Sequence, residues 1–372
     1  AAEMGSRAAL ARFPITRKSA QKALQQDDPP FGGLTPGSIA SLARIFMSPG
    51  PVFGPEGPGG GWWPYARPFH ALGLRRGHLI QNCFSYHFTP AAFMVEGGAK
   101  KLGCAVIPAG IGQTEMQVQA MAALRPHAYA GTPSFLKIII EKAREMGADI
   151  SSLRRASVGA EALPSSLRAW LRENGVPHVL QTYGSADIGN IAYETLCDGE
   201  PCPGMVLDED LILEIVRPGS GEPLPDGQVG EVVITSFNPD YPLVRFATGD
   251  LSAVLSGVSP CGRTNTRIKG WMGRADQATK VRAMFVHPSQ VAEVMRRHPE
   301  IVKARLVVSG KIASEVMTLH CEVDDPTACA GAMPAIIDTI RDVTKLRGEV
   351  ELTGRGSLPN DGKVIEDARR YE

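Results

Sequence analysis

A chain of 372 residues is too long for one ordinary core, so two or three domains are expected. Its 39 basic and 39 acidic residues cancel, which argues against a broad nucleic-acid or membrane surface, and no apolar run approaches the ~20 residues that span a bilayer. Seven cysteines, scattered and odd in number, read as reduced thiols of a cytoplasmic protein. Cys197, Cys202 and Cys261 are candidate zinc ligands; they form no paired CxxC arrangement and no histidine lies close in sequence, so the spacing argues against a zinc site.

The chain enters through residues 12–18 and a turn-rich connector, Asp27 to Gly33. Ile45-Phe46-Met47 reads as a short strand running into a loop from Ser48 to Gly57. From Pro64 onward, short apolar strands alternate with amphipathic helices. Strands are expected at 79–84, 105–108, 128–130, 156–158 and 179–181, and helices at 66–76, 91–102, 114–124, 134–146 and 164–174. That alternation implies a mostly parallel sheet covered on both faces, with ligands bound beyond the carboxyl ends of its strands. The loops that matter are then 85–89, 110–112, 159–161 and 183–189.

After Asn190 the pattern changes. Period-2 strands at 211–216 and 229–236, joined by a Gly/Pro-rich hairpin turn, mark a β-barrel-like subdomain over about 205–260. Past residue 276 a strand, helix, strand, strand, helix, strand series reads as a small α+β unit with a ferredoxin-like flavour. The fold class is α/β. A large N-terminal domain, 1–275, has layered, mostly parallel sheet with helices, and a small mobile C-terminal domain spans 276–372.

Several residues in these loops carry chemistry. Asp250, just after a Gly turn in Thr248-Gly249-Asp250, can accept hydrogen bonds from both hydroxyls of a ribose. Arg274 brings a fixed fork of donors suited to phosphate or sugar oxygens. Gly159 lets the backbone of Gly159-Ala160-Glu161 come close to a flat ligand. Tyr86, His87 and Phe88, at a strand end, can wall an acyl pocket; core packing is the alternative reading. Lys363, in a Gly/Pro/Asp loop, would ordinarily be a solvated charge.

Taken together, Thr248-Gly249-Asp250 and Gly273-Arg274-Ala275-Asp276, followed by a further domain-sized segment, resemble the adenylate-forming superfamily. Pro14 to Lys18, Ser48-Pro49-Gly50, Gly159-Ala160-Glu161 and Tyr183-Gly184-Ser185-Ala186-Asp187 look like its phenylacetate–CoA ligase branch. The resemblance runs from about Pro14 to Tyr371. It implies an AMP-forming acyl-CoA ligase that uses ATP, Mg2+ and CoA on a small carboxylic acid, aromatic or medium apolar. It places Ser48 and Gly50 at the phosphates, Gly159, Ala160 and Glu161 against one adenine face, and Tyr183 on the other. Gly184 and Ser185 flank the nucleotide, and Asp187 reaches a magnesium ion held by phosphates.

The resemblance also makes Lys363 the catalytic lysine and Asp276 the hinge of a rotating small domain. Relatives carry a further helical segment upstream, so the N-terminus reads as truncated. The chain departs from the pattern in two places. The phosphate loop has prolines at 49, 51 and 55 and no lysine, and Ala186 stands where relatives have a hydroxyl. Other acceptors, an amine or a carrier protein, stay open, as do a homodimer and a catalytically weakened nucleotide- or acyl-CoA-binding relative.

Overall fold

The alternation of strands and helices after residue 64 becomes, in the computed structural model, the parallel part of an eight-stranded sheet. Strand order is Arg267–Ile268, Met205–Leu207, Gly189–Tyr193, His178–Ser185, Arg155–Val158, Ala128–Gly131, Leu79–Asn82 and Ala105–Pro108. The last five are mutually parallel. Parallel neighbours need crossovers, which Ala91–Leu102, Thr114–Leu124, Pro133–Glu145 and Ser165–Glu173 supply as helices. The strands are buried on both faces. Ala128, Ala130 and Leu180 join a core with Phe69, Ile80 and Val95, whereas Tyr129 and Val179 join the opposite one with Val118, Leu136 and Leu171. The first three strands of the order pair antiparallel and extend the sheet on one side.

The structure describes every residue except 1–5, 49–50, 60–61, 219, 273, 276–278, 283, 287, 312–313, 360–362 and 370–372. The chain divides into two units, Ala1–Gly273 and Arg274–Glu372. No helix among the described residues is long and apolar enough to cross a membrane.

The barrel-like subdomain expected over 205–260 takes another form. Leu211–Val216, Gly230–Ser236 and Leu243–Ser252 make an open sheet whose fourth strand, Thr16–Arg17, comes from the start of the chain and runs parallel to Leu243–Ser252. Met205–Leu207 goes instead to the large sheet. Charge explains the docking of the N-terminal segment. The buried Arg245 guanidinium bonds Glu214 at 3.0 Å, the carbonyl oxygens of Ala11 at 3.0 Å and Phe13 at 2.7 Å, and that of Gly221 at 3.0 Å. Arg17 pairs with the buried Glu231 at 2.9 Å. None of this is periodic, so hydropathy does not reveal it.

The loop expected from Ser48 to Gly57 is mostly strand. Arg44–Ser48 and Val52–Glu56 pair antiparallel as a hairpin, with Pro55 buried opposite Ile45. Proline is tolerated there because an edge strand has ladder positions that need no donor.

In the second unit the sheet order is Glu349–Gly354, Ser314–Val323, Lys303–Lys311 and Ile365–Asp367. Helices Pro288–Arg297 and Met333–Thr344 contribute to its core with Leu306, Leu319, Ile336 and Ile340. Strand Ile365–Asp367 was not expected; three residues are too few for a period to show.

Candidate functional site at the carboxyl ends of the large sheet

Two residues far apart in sequence meet at one carboxylate. The Tyr183 hydroxyl donates to Asp250 Oδ2 at 3.0 Å, and Trp271 Nε1 donates to Asp250 Oδ1 at 3.0 Å. The bulge that delivers Asp250 is visible in the ladder. Glu231 and Val233, two apart, face Leu251 and Ala247, four apart, so the Thr248–Asp250 stretch is extruded from the strand. Gly249 sits at φ 76°, which only glycine adopts readily, and Asp250 N–H donates back to Thr248 Oγ1 at 3.1 Å. Tyr183 was expected as a stacking face; it is buried, with its hydroxyl committed to Asp250. Trp271 lies between Thr248-Gly249-Asp250 and Gly273-Arg274-Ala275-Asp276, and no local pattern marks it as a site residue. Its signal, an indole two residues before Gly273, is too generic to find without the fold.

Beside it, Gly159-Ala160-Glu161 closes the strand Arg155–Val158. A Cβ at Gly159 would lie 2.7 Å from Thr182 Oγ1, so the turn needs glycine. Ala160 holds φ 63° and is exposed, a strained conformation for a residue with a Cβ. The Glu161 carboxylate accepts from Ser134 Oγ at 2.6 Å, and its carbonyl accepts from Gln181 Nε2 at 3.1 Å. The turn is thus pinned from two elements.

The residues expected at the phosphates are held differently. Ser48 is buried at the end of its strand, and its hydroxyl donates to the Val52 carbonyl at 3.3 Å. Gly50 lies outside the described residues. Asp187 follows Gly184 and Ser185; a Cβ at Gly184 would stand 2.3 Å from the Gly189 carbonyl oxygen, and Ser185 Oγ accepts from Ile188 N–H at 3.2 Å. The Asp187 side chain is only 3% exposed and pairs with Lys18 Nζ at 2.6 Å. Lys18 was seen only as part of a motif; its role appears once the N-terminal segment docks. One buried carboxylate suits magnesium, which takes one or two acidic ligands and completes its shell with phosphates and water.

Tyr86 is half-buried, accepting from Asn82 Nδ2 at 3.0 Å and donating to Glu96 at 2.7 Å. Burial and then Glu96 hold its hydroxyl well above the ordinary tyrosine range. His87 and Phe88, expected to wall a pocket, lie at the surface, Phe88 with φ 60° and 68% exposed. The strand ends at Asn82; Cys83 and Phe84 are still buried, and the chain reaches the surface only at His87. The aromatic residues that do gather inside are Phe84, Phe46, Trp63 and Phe93 with Tyr86. Phe46 lies 6.4 Å from Trp63 and 5.4 Å from Phe93, and Phe93 lies 5.4 Å from Tyr86.

In the second unit Lys363 is exposed, two residues ahead of the strand Ile365–Asp367. The chain before it is anchored: Leu358 N–H donates to Glu322 at 2.6 Å, and Lys303 Nζ donates to the Pro359 carbonyl at 3.0 Å. Arg274 is half-buried, and Asp276 lies outside the described residues.

The cysteines depart from expectation. Cys197 and Cys202 form a disulfide across the hairpin of Leu196–Cys197 and Glu200–Pro201, Cα atoms 5.4 Å apart. The Cys261 sulfur joins theirs, all within 4.8 Å of one another. The sequence spacing hid this, because a tertiary contact brings Cys261 across 59 residues. Burial raises the Cys261 thiol, but donors from Ser259 and Arg263 outweigh it and bring it to about 6.

Residues 75–238 match the family of AMP-binding enzymes. A phenylacetate-coenzyme A ligase of Thermus thermophilus is 32% identical over 265 residues, 70% of this chain and 60% of that protein. One from Aromatoleum evansii is 28% identical over 343 residues, 89% of this chain and 76% of that protein. Against the Escherichia coli phenylacetate-coenzyme A ligase, 34% identical, the matched part spans 53% of that protein's length. Among solved structures, a 2-hydroxyisobutyryl-CoA ligase in complex with 2-HIB-AMP and CoA has a TM-score of 0.82 at 21% identity, covering 100% of this chain and 83% of that one. The amide bond synthetase McbA from Marinactinospora thermotolerans has a TM-score of 0.60 at 20% identity, covering 88% and 68%. At these identities the solved structures speak for the fold.

Proposed function

We propose that the chain is a phenylacetate–CoA ligase-like adenylate-forming enzyme, an AMP-forming acyl-CoA ligase for a carboxylic acid of aromatic or medium apolar body; its similarity to AMP-binding enzymes and to phenylacetate-coenzyme A ligases supports this reading. Its carboxylate oxygen attacks the α-phosphate of ATP, pyrophosphate leaves, and an acyl-adenylate remains. The CoA thiolate then attacks the acyl carbon, and AMP departs with the mixed-anhydride oxygen.

The observation that carries this reading is Asp250, held on both oxygens by Tyr183 and Trp271. A carboxylate fixed in place loses little entropy when a ribose diol docks. Gly159, Ala160 and Glu161 offer a flat backbone edge for the base, and Arg274 is the candidate for sugar or phosphate oxygens. The first step brings two anions together, so cationic charge must stand at the phosphates. The hairpin at Ser48 supplies no lysine. Lys18, already at Asp187, is the candidate cation of the large unit, and Lys363 that of the small one. Magnesium, when bound, neutralises phosphate oxygens, and Asp187 is the residue to hold it. Asp276 is the candidate pivot between the two steps.

Pyrophosphate release with a panel of carboxylic acids, with and without CoA, tests the proposal. Release that needs an acid, with thioester formed only when CoA is present, is expected. Turnover only with amine or carrier-protein acceptors would reassign the second step. Nucleotide binding without pyrophosphate release from any acid would make the chain a binding protein.

A further inference from the structure

The aromatic cluster contains a polar spot that nothing in the proposed chemistry uses. Among the described residues, Asn190 is the one side chain whose two polar atoms, Nδ2 and Oδ1, are both buried without a hydrogen-bond partner. It is 2% exposed. Leaving a buried donor or acceptor unmet carries its full desolvation penalty, so an amide with neither end satisfied needs a reason. Because both atoms are unmet, the choice of amide orientation does not matter.

Its place in the sheet supplies a reason. Asn190 stands opposite Gly184 in the antiparallel register, and Gly184 follows Thr182 by two residues on its strand. Directly opposed residues share a face, as do residues two apart, so Asn190 lies on the face of Thr182. Thr182 Oγ1 bonds the Tyr65 hydroxyl at 3.0 Å within the aromatic cluster. Trp63 belongs to that cluster too, and its ring packs on the backbone beside Asn190: a Cβ at Gly189 would lie 2.8 Å from Trp63 Cε3. Trp63 Nε1 is a second buried donor without a partner. A mostly apolar region with a few unmet polar groups is the composition of a ligand pocket.

We infer that Asn190 and Trp63 recognise a hydroxyl group on the carboxylic acid, so that the substrate is a hydroxylated aromatic or medium apolar acid. A hydroxyl is the simplest group that meets the whole set. It accepts from an N–H of Trp63 or Asn190 and donates to Asn190 Oδ1. This inference rests on the ligase reading above.

The experiment compares matched acid pairs, each an aryl or medium-chain acid with a hydroxyl and its counterpart bearing hydrogen or methyl there. The readout is kcat/KM for pyrophosphate release by the full chain. A site built to bond a hydroxyl favours the hydroxylated member by ~10²-fold or more. Asn190→Leu is expected to lower turnover of that member by ~10–100-fold while leaving the apolar member unchanged or improved. Trp63→Phe keeps the ring, loses the N–H, and moves the ratio the same way by less, which covers the case in which Asn190→Leu folds poorly. Equal turnover of both members by the wild type, as when a sealed water satisfies Asn190, overturns the inference. So does an equal loss for both members in the variants. Both outcomes leave the ligase reading intact, whereas a wild-type chain that releases pyrophosphate with no acid sinks that reading and this inference together.

Discussion

The two carboxylates proposed for the ribose and phosphate ends of a nucleotide site are held on opposite principles. At the ribose end a carboxylate, Asp250, is gripped by two neutral donors, Tyr183 and Trp271, and projected by a bulge in a strand. At the proposed phosphate end the carboxylate Asp187 is neutralised by a lysine from the N-terminal segment. Asp250 is thus fixed in position by hydrogen bonds to both of its oxygens. The phosphate end is held in a self-neutralised state that a polyanion and its cation must rearrange. Binding and chemistry should therefore fail separately when the two ends are damaged.

The largest effect is expected from a cation that lies in neither end of the large unit. Lys363→Ala should lower ATP-dependent adenylate formation by ~10²–10³-fold, the usual cost of losing a charge aimed at a transition state. A synthetic acyl-adenylate with CoA should still give thioester near the normal rate. Equal loss in both half-reactions would mean that Lys363 holds the fold of its unit together. Measuring each half-reaction separately decides.

Damage to the ribose end should appear in binding. Asp250→Ala removes charge-assisted bonds of about 1.5–3 kcal/mol each. Tyr183 and Trp271 already hold both oxygens, so the diol partly exchanges partners, and the expected loss of ATP affinity is ~10–100-fold. Calorimetry showing wild-type affinity would remove Asp250 from the ribose.

At the phosphate end, Lys18→Met should raise the magnesium concentration needed for half-maximal pyrophosphate release, with kcat down by ~10-fold and ATP affinity nearly kept. A magnesium titration identical to wild type would leave Lys18 as a structural partner of Asp187 only. Placing a lysine at Pro55, in place of the missing loop cation, is a poor test because Pro55 is buried within its strand.

The smallest effect concerns a carboxylate outside both ends. Asp208 is fully buried and bonded to Arg67 at 2.5 Å, yet burial outweighs the arginine and raises it from 3.8 to about 6. A carboxyl raised in the folded state adds stability below its unfolded value that is lost as pH climbs through the folded one. The wild type should therefore lose a few degrees of Tm between about pH 4 and 6 through this group. Asp208→Asn should flatten that slope without touching ATP affinity. An unchanged slope would assign the pH dependence to other groups.

Much of this was legible in the linear chain. The parallel core was, because Ala128–Gly131 and Arg155–Val158 are short apolar runs separated by helices of amphipathic period. Asp250 and the Gly159 turn were legible too, since a glycine turn with an adjacent acid or an open backbone is a local signal. The exposure of His87 and Phe88 was not legible, because aromatic identity says nothing about which way a chain turns after its strand ends. The disulfide and the third sulfur of Cys261 were hidden because their contacts cross the chain.

By itself, then, the sequence determined the layered α/β core, the second α+β segment and the places where ligand loops fall. Those rest on local periodicity and on glycine's backbone freedom, which act within a few residues. Only the tertiary structure decided that Trp271 and Tyr183 would share Asp250, that Lys18 would neutralise Asp187, and that Asn190 would be buried with nothing to bond. The pairings cross 21 to 169 residues, and the burial of Asn190 likewise depends on neighbours its local sequence does not show. Both are set by which strand lies beside which, and by the cost of leaving a buried polar group alone.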